Sequence, residues 1–233
     1  MKFSDFDYIK RVKSFSANAK LFLIFVFLTS LSLGVYQVIF NLYIIELGFS
    51  ERFLGIILAL TALGTALFSF PSAILCDRIG RKNTLLLSCA FSVFSMIPMY
   101  MVENHLILII SCTLYGGTTA LGVVTGSTFM LENSRPYERL HLFSVYQLLI
   151  TIAIMFGSFA GGFLPHVLNL LLNIETFGAI SYRITLILSV ICTIFAVIPI
   201  KKINEEKTYK NVLEKGEIKN ILKSYSKALK KKK

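Results

Sequence analysis

Six long apolar runs, separated by short polar breaks, dominate the chain. They lie at about Leu21–Ile45, Phe53–Cys76, Thr84–Val102, Leu106–Leu131, Leu142–Leu164 and Ala179–Ile200. A helix needs about 20 apolar residues to cross about 30 Å of hydrocarbon, and each run meets that length. The first is too long for the apolar region of a cleaved signal, so it is read as an uncleaved span. The pattern predicts an all-α membrane protein. A polar segment covers residues 1–20, a six-span domain 21–200 and a basic tail 201–233.

Charge gives the spans a direction. Basic residues gather on the cytoplasmic side of membrane proteins. With the N-terminus inside, that side holds the N-terminal cluster, Arg78, Arg81, Lys82, Arg135, Arg139 and the lysine-rich tail. The other side holds only Arg52 and Arg183, the latter able to snorkel to the interface. The expected topology is therefore N-in and C-in, in the inner (cytoplasmic) cell membrane. The chain is 55% hydrophobic and only 16% charged over 233 residues, which fits lipid as its main partner. Its net charge of +11 would point to nucleic acid in a soluble protein. Here the side bias explains it, and no nucleic-acid partner is expected. In the tail, Ile218, Ile221, Leu222, Tyr225 and Leu229 recur at helical spacing beyond Gly216, with lysines between them. This reads as a basic amphipathic helix on the anionic inner leaflet, the alternative being a solvated charged tail.

Local signals mark breaks and close packing. Ser50 is a candidate N-cap for the second span, with Glu51 in its first turn. Residues His166 to Gly178 are expected to form an external loop or a short interfacial helix. Pro71, Pro98, Pro165 and Pro199 predict kinks or helix ends. Small residues repeat at four-residue spacing in Gly55/Ala59, Gly122/Gly126, Gly157/Gly161 and Ser158/Gly162, which in lipid permits close helix approach. Cys76, Cys89, Cys112 and Cys192 lie scattered in apolar runs, with neither disulfide nor metal spacing.

Residues 73–85 concentrate the chemistry: Ala-Ile-Leu-Cys-Asp-Arg-Ile-Gly-Arg-Lys-Asn-Thr-Leu, a charged turn between the second and third spans. It resembles the loop between helices 2 and 3 of the major facilitator superfamily, whose pattern is Gly-x-Leu-x-Asp-Arg-x-Gly-Arg-Lys-x-x-Leu. Leu75, Asp77, Arg78, Gly80, Arg81, Lys82 and Leu85 match, and Ala73 replaces the first glycine. Residues 41–50 and the junction Glu132–Arg139 are similar to carriers of that superfamily, less specifically.

The resemblance implies one six-helix half of a twelve-helix carrier, built from two inverted three-helix repeats. It also implies transport of a small solute by alternating access, with helices 1 and 4 lining a cavity. Charges near lipid need partners, so Asp77, Arg81 and Glu132 are expected to form a cluster. With Arg78, Gly80 and Lys82 they are the candidate gating residues. Ser30, Gly34, Gln37 and Asn41 share one face of the first span. Gln37, Asn41, Tyr115, Thr119 and Gln147 are the cavity candidates. The competing reading is interhelical hydrogen bonding, worth about 0.6 kcal/mol each.

Absences narrow the function. No Asp, Glu, Lys or Arg falls in mid-span. Tyr115 and Gly116 stand where drug–proton antiporters usually place an arginine, and the fifth span lacks their Gly-Pro pair. Gly126-Ser127-Thr128-Phe129 lacks the second glycine of a serine nucleophile motif, and His105, His141 and His166 lie at or near loops. No phosphate-binding loop is present. An enzyme, a cofactor and a metal site are therefore not expected. The length of 233 residues leaves three readings: a half that pairs with a separate second half, a half that pairs with itself, or a truncated frame. A non-transporting membrane scaffold with a lipid-binding tail is the alternative function.

Overall fold

Polar caps at the breaks of the apolar pattern set where the helices begin. The computed structural model describes residues 15–136, 138–172 and 178–204. The Ser16 hydroxyl accepts from the Ala19 amide at 3.1 Å and opens α1, Ala17–Glu46. Ser50 caps α2, Glu51–Ile79, in the same way through the Phe53 amide at 3.3 Å, with Glu51 in the first turn. Gly80 alone separates α2 from α3, Arg81–Met101, and takes φ 87°, a conformation glycine adopts without steric cost. The Asn104 side chain accepts from the Leu106 and Ile107 amides and opens α4, His105–Glu132. Then come α5, Arg139–Leu172, α6, Ala179–Phe195, and the single turn α7, Val197–Lys201. α1 to α5 are each long and apolar enough to cross a membrane, and α6 with α7 makes the sixth span. The described residues contain helices and no strand.

Two proline expectations resolve differently. Pro165 lies inside α5, which runs on to Leu172, so residues 166–172, expected as external loop or short interfacial helix, continue the fifth helix. Residues 173–177 lie outside the described residues, as do the N-terminal segment up to residue 14 and the tail from 205, with its expected amphipathic helix. Pro199 does interrupt its span. A proline ring opposes the carbonyl four residues earlier, here that of Phe195, the last residue of α6.

The helices pack as two interleaved triplets. α1 lies mainly against α5 and α6, and α4 against α2 and α3, while α3 meets α6. Exchanging α1 with α4, α2 with α5 and α3 with α6 turns this set of contacts into itself. That is the mark of two related three-helix repeats. α2 and α5 are peripheral. On α2 only Ile57, Gly64, Ser72 and Cys76 are buried, and Leu67, Phe70, Phe159 and Phe163 are well exposed.

The core is apolar at both ends and hydroxylic at the waist. One cluster joins Phe22, Leu85, Phe129, Leu142 and Ile200 near the α2–α3 turn. The other joins Ile39, Tyr43, Met99, Leu108 and Leu186 toward the opposite face. Between them Ser32 donates to the Ser189 carbonyl at 2.8 Å and accepts from Thr193 at 3.0 Å. Ser92 donates to Thr118 at 2.9 Å. These bonds tie α1 to α6 and α3 to α4 in addition to their apolar contacts.

Two seams need glycine. Gly34 on α1 faces Gly157 on α5, whose Cα would lie 3.0 Å from an added Cβ, and Gly161 faces Val35 of α1 one turn on. Gly64 on α2 meets the Thr113 carbonyl, and Gly116 on α4 meets the Thr61 carbonyl. At Gly34, Gly64, Gly116 and Gly157 a methyl group would fall inside a backbone carbonyl oxygen. Of the spaced small-residue pairs, Gly157/Gly161 forms such a seam. Gly126 faces the Phe22 ring, and Gly55, Gly122 and Gly162 have open space beside them.

Candidate functional site

The turn at Gly80 brings the end of α2 beside the start of α3, and both lie against the end of α4. Arg81, the first residue of α3, is the centre of the resulting cluster. Its Nη2 lies 3.1 Å from Asp77 Oδ1 and 2.9 Å from Glu132 Oε1. Its Nη1 donates to the Cys76 carbonyl at 3.0 Å, satisfying a carbonyl at the end of α2. The burial is unequal: the Arg81 side chain is 6% exposed, Glu132 34% and Asp77 66%. A withdrawn guanidinium thus meets two carboxylates that keep contact with water, the more buried of which belongs to the neighbouring repeat.

The rest of the loop is divided between two tasks. Lys82 donates through Nζ to the carbonyls of Lys201 at 2.9 Å and Ile203 at 2.5 Å. It therefore holds the end of the sixth span through carbonyls that α7 leaves free. Arg78 is exposed in the last turn of α2 and makes no salt bridge among the described residues. Asn133, just after α4, binds the start of α1: its carbonyl accepts from Ser16 at 3.0 Å and its Oδ1 accepts from the Asn18 amide group at 3.1 Å. Sequence reasoning placed no role on Ser16, Asn18 or Asn133. The polar residues flanking two span ends were the available signal.

The cavity candidates separate into two kinds. Tyr115 is buried, its ring 5.1 Å from that of Tyr36, and Thr119 returns its hydroxyl to the Tyr115 carbonyl at 3.1 Å. Tyr115 serves the interior of the bundle, and Thr119 is half-buried. Ser30 is buried and Gly34 forms the α1–α5 seam, so half of the polar stripe on α1 faces protein. Gln37 is exposed, Asn41 is half-buried and Gln147 is exposed. Gln37 sits about 13 Å along the helix from the last residue of α1, at 1.5 Å per residue. These carboxamides point at no common partner within the described residues. Among those residues no group of His, Cys, Asp and Glu could hold a metal ion.

Comparison with known proteins agrees with this geometry. Residues 22–233 match the family model described as Major Facilitator Superfamily. The chain is 32% identical over 129 residues to the uncharacterized MFS-type transporter YfkF of Bacillus subtilis, covering 52% of this chain and 30% of that protein. It is 25% identical over 154 residues to the quinolone resistance protein NorA of Staphylococcus aureus, covering 64% of this chain and 39% of that protein. The matches thus span well under half the length of these curated relatives.

Proposed function

The chain belongs to the major facilitator superfamily, and from that premise we propose that it forms one half of a secondary carrier that moves a small solute by alternating access. It is a multi-pass membrane protein of a transporter family. In the proposed carrier it lies in the inner cell membrane with both ends of the bundle domain inside, and a second six-helix half completes the path.

The observation that carries the proposal is the pair Gln37 and Asn41 on α1. Gln37 is exposed at membrane depth, Asn41 half-buried, and neither side chain has a hydrogen-bond partner among the described residues. Leaving such a group against hydrocarbon costs about 2–7 kcal/mol. A water-filled cavity or the polar face of another protein segment removes that cost. Gln147 on α5 extends the same argument toward the Gly80 side. The cluster of Asp77, Arg78, Gly80, Arg81, Lys82 and Glu132 serves as the gate in this reading. Asp77, mostly exposed although paired with Arg81, is the carboxylate proposed to take a further partner from the second half.

The relative NorA bears quinolone resistance in its name, which makes a fluorescent quinolone a rational first probe. Glu46 and Glu132 lie at helix ends, so a mid-membrane coupling carboxylate would belong to the second half. Purification of the intact complex from its native membrane tests the reading. A second six-helix half in the same assembly is expected, and Gln37→Ala or Asn41→Ala is expected to slow movement of whichever probe solute that assembly carries without changing its abundance. Absence of any second six-helix half from the purified assembly overturns the half-carrier reading and leaves a scaffold.

A further inference from the structure

The face opposite the Gly80 turn holds a second arginine cluster. Arg183, in the opening turns of α6, places Nη2 2.6 Å from Glu103 Oε1, in the connection between α3 and α4. Its Nε donates to the Tyr43 hydroxyl at 3.2 Å, and the guanidinium lies 5.8 Å from the Tyr43 ring centroid. Tyr43, fully buried near the end of α1, donates that hydroxyl to the Tyr100 carbonyl of α3 at 2.7 Å. Two residues before Arg183, the Ser181 hydroxyl donates to the Asn169 side-chain carbonyl at the end of α5. Both Ser181 and Asn169 are buried.

These contacts repeat the layout around Arg81. On the first face, the start of α3 binds the end of α2 through Arg81 with Asp77 and the Cys76 carbonyl, and the end of α4 through Glu132. Exchange of the repeats turns these into the start of α6, the end of α5 and the end of α1. Those three elements are joined by Ser181–Asn169 and Arg183–Tyr43. The correspondence lies in the helices joined. The chemistry differs, because a phenol replaces the carboxylate at the end of α1 and a neutral hydrogen bond replaces Asp77.

We infer that Arg183 is a positioning residue, the counterpart in the second repeat of Arg81, and that it latches the far end of α1 to α3 and α6 through Tyr43. The latch holds the last turns of α1, which follow Gln37 and include Asn41. Tyr43 is its pivot, because one hydroxyl accepts from α6 and donates to α3. Glu103, with a side chain 57% exposed, adds a screened ion pair and is the weaker member. The inference rests on the packing of this chain and is independent of any solute.

Hydrogen exchange of the full chain in lipid nanodiscs tests it segment by segment. Arg183→Gln and Tyr43→Phe are expected to speed exchange of the amides at residues 43–48 about tenfold, with Glu103→Gln doing less and Arg183→Lys restoring part of the protection. Residues 19–26, at the other end of α1, keep parent rates. Arg81→Gln gives the converse, loosening the Gly80 side and sparing residues 43–48. Parent-like exchange at 43–48 in Arg183→Gln overturns the inference, as does equal loosening of all six spans. If Arg183→Gln fails to insert, Tyr43→Phe decides alone, since it removes one oxygen and keeps the ring: unchanged rates at 43–48 refute the latch.

Discussion

Arg81 is the most withdrawn of the three charges in its cluster, and this ranks the consequences of altering each. Asp77→Asn removes a carboxylate that is 66% exposed, and an exposed pair is worth about 0–1 kcal/mol. The thermal stability of that variant in detergent is expected to stay within about 1 kcal/mol of the parent. Loss of solute movement in the assembled carrier would then report on gating rather than folding. Glu132→Leu removes the more buried counter-charge of a guanidinium that is 6% exposed. Leaving a buried charge uncompensated costs about 3–5 kcal/mol. Arg81 keeps Asp77, so the variant is expected to lose less than that but more than Asp77→Asn. A further Arg81→Met is expected to recover part of the loss in the same melting assay. The Asp77–Arg81–Glu132 grouping was legible in the sequence, because charges at the ends of apolar spans need partners and the turn at Gly80 limits the choice. The Arg183 group was not. Its carboxylate lies 80 residues away and its second partner is a neutral tyrosine inside an apolar run.

Helix seams follow backbone approach more closely than they follow residue spacing. Gly116→Ala and Gly157→Ala would drive a methyl into a facing carbonyl, and each is expected to lower the melting temperature and weaken the α2–α4 or α1–α5 contact. Gly122→Ala has open space and is expected to be neutral or stabilising, by up to about 1 kcal/mol of helix propensity. Cysteine crosslinking across each seam, with melting curves, separates the two outcomes. The six spans themselves were readable from hydropathy, with ends short by a few residues because polar residues such as Asn18 and Lys20 are helical too. A short helix after Pro165 was one of two expectations there, but its continuity with the fifth span was not read, since a proline followed by histidine and asparagine looks like a stop. Gly64 was missed because Leu60 and Phe68 occupy its four-residue neighbours, leaving the spacing rule nothing to detect.

At the scale of the whole molecule, topology and order of assembly can be tested separately. A single cysteine at Asn104 is expected to react with an impermeant maleimide added outside intact cells, and one at Asn83 only after the membrane is opened. The reverse pattern would refute the N-in reading. The interleaving of the repeats concerns biosynthesis. Among the described residues, α2 finds its glycine-lined seam on α4, and α1 finds its own on α5 and packs further on α6. The first three helices therefore leave the ribosome without the neighbours they need, and must wait in lipid or beside a chaperone until the later helices are inserted. A chain halted after Met101 is expected to remain open to proteases, and one extended through Glu132 should protect α2 before it protects α1. What looks in the finished bundle like a relation between two repeats is, during synthesis, a schedule.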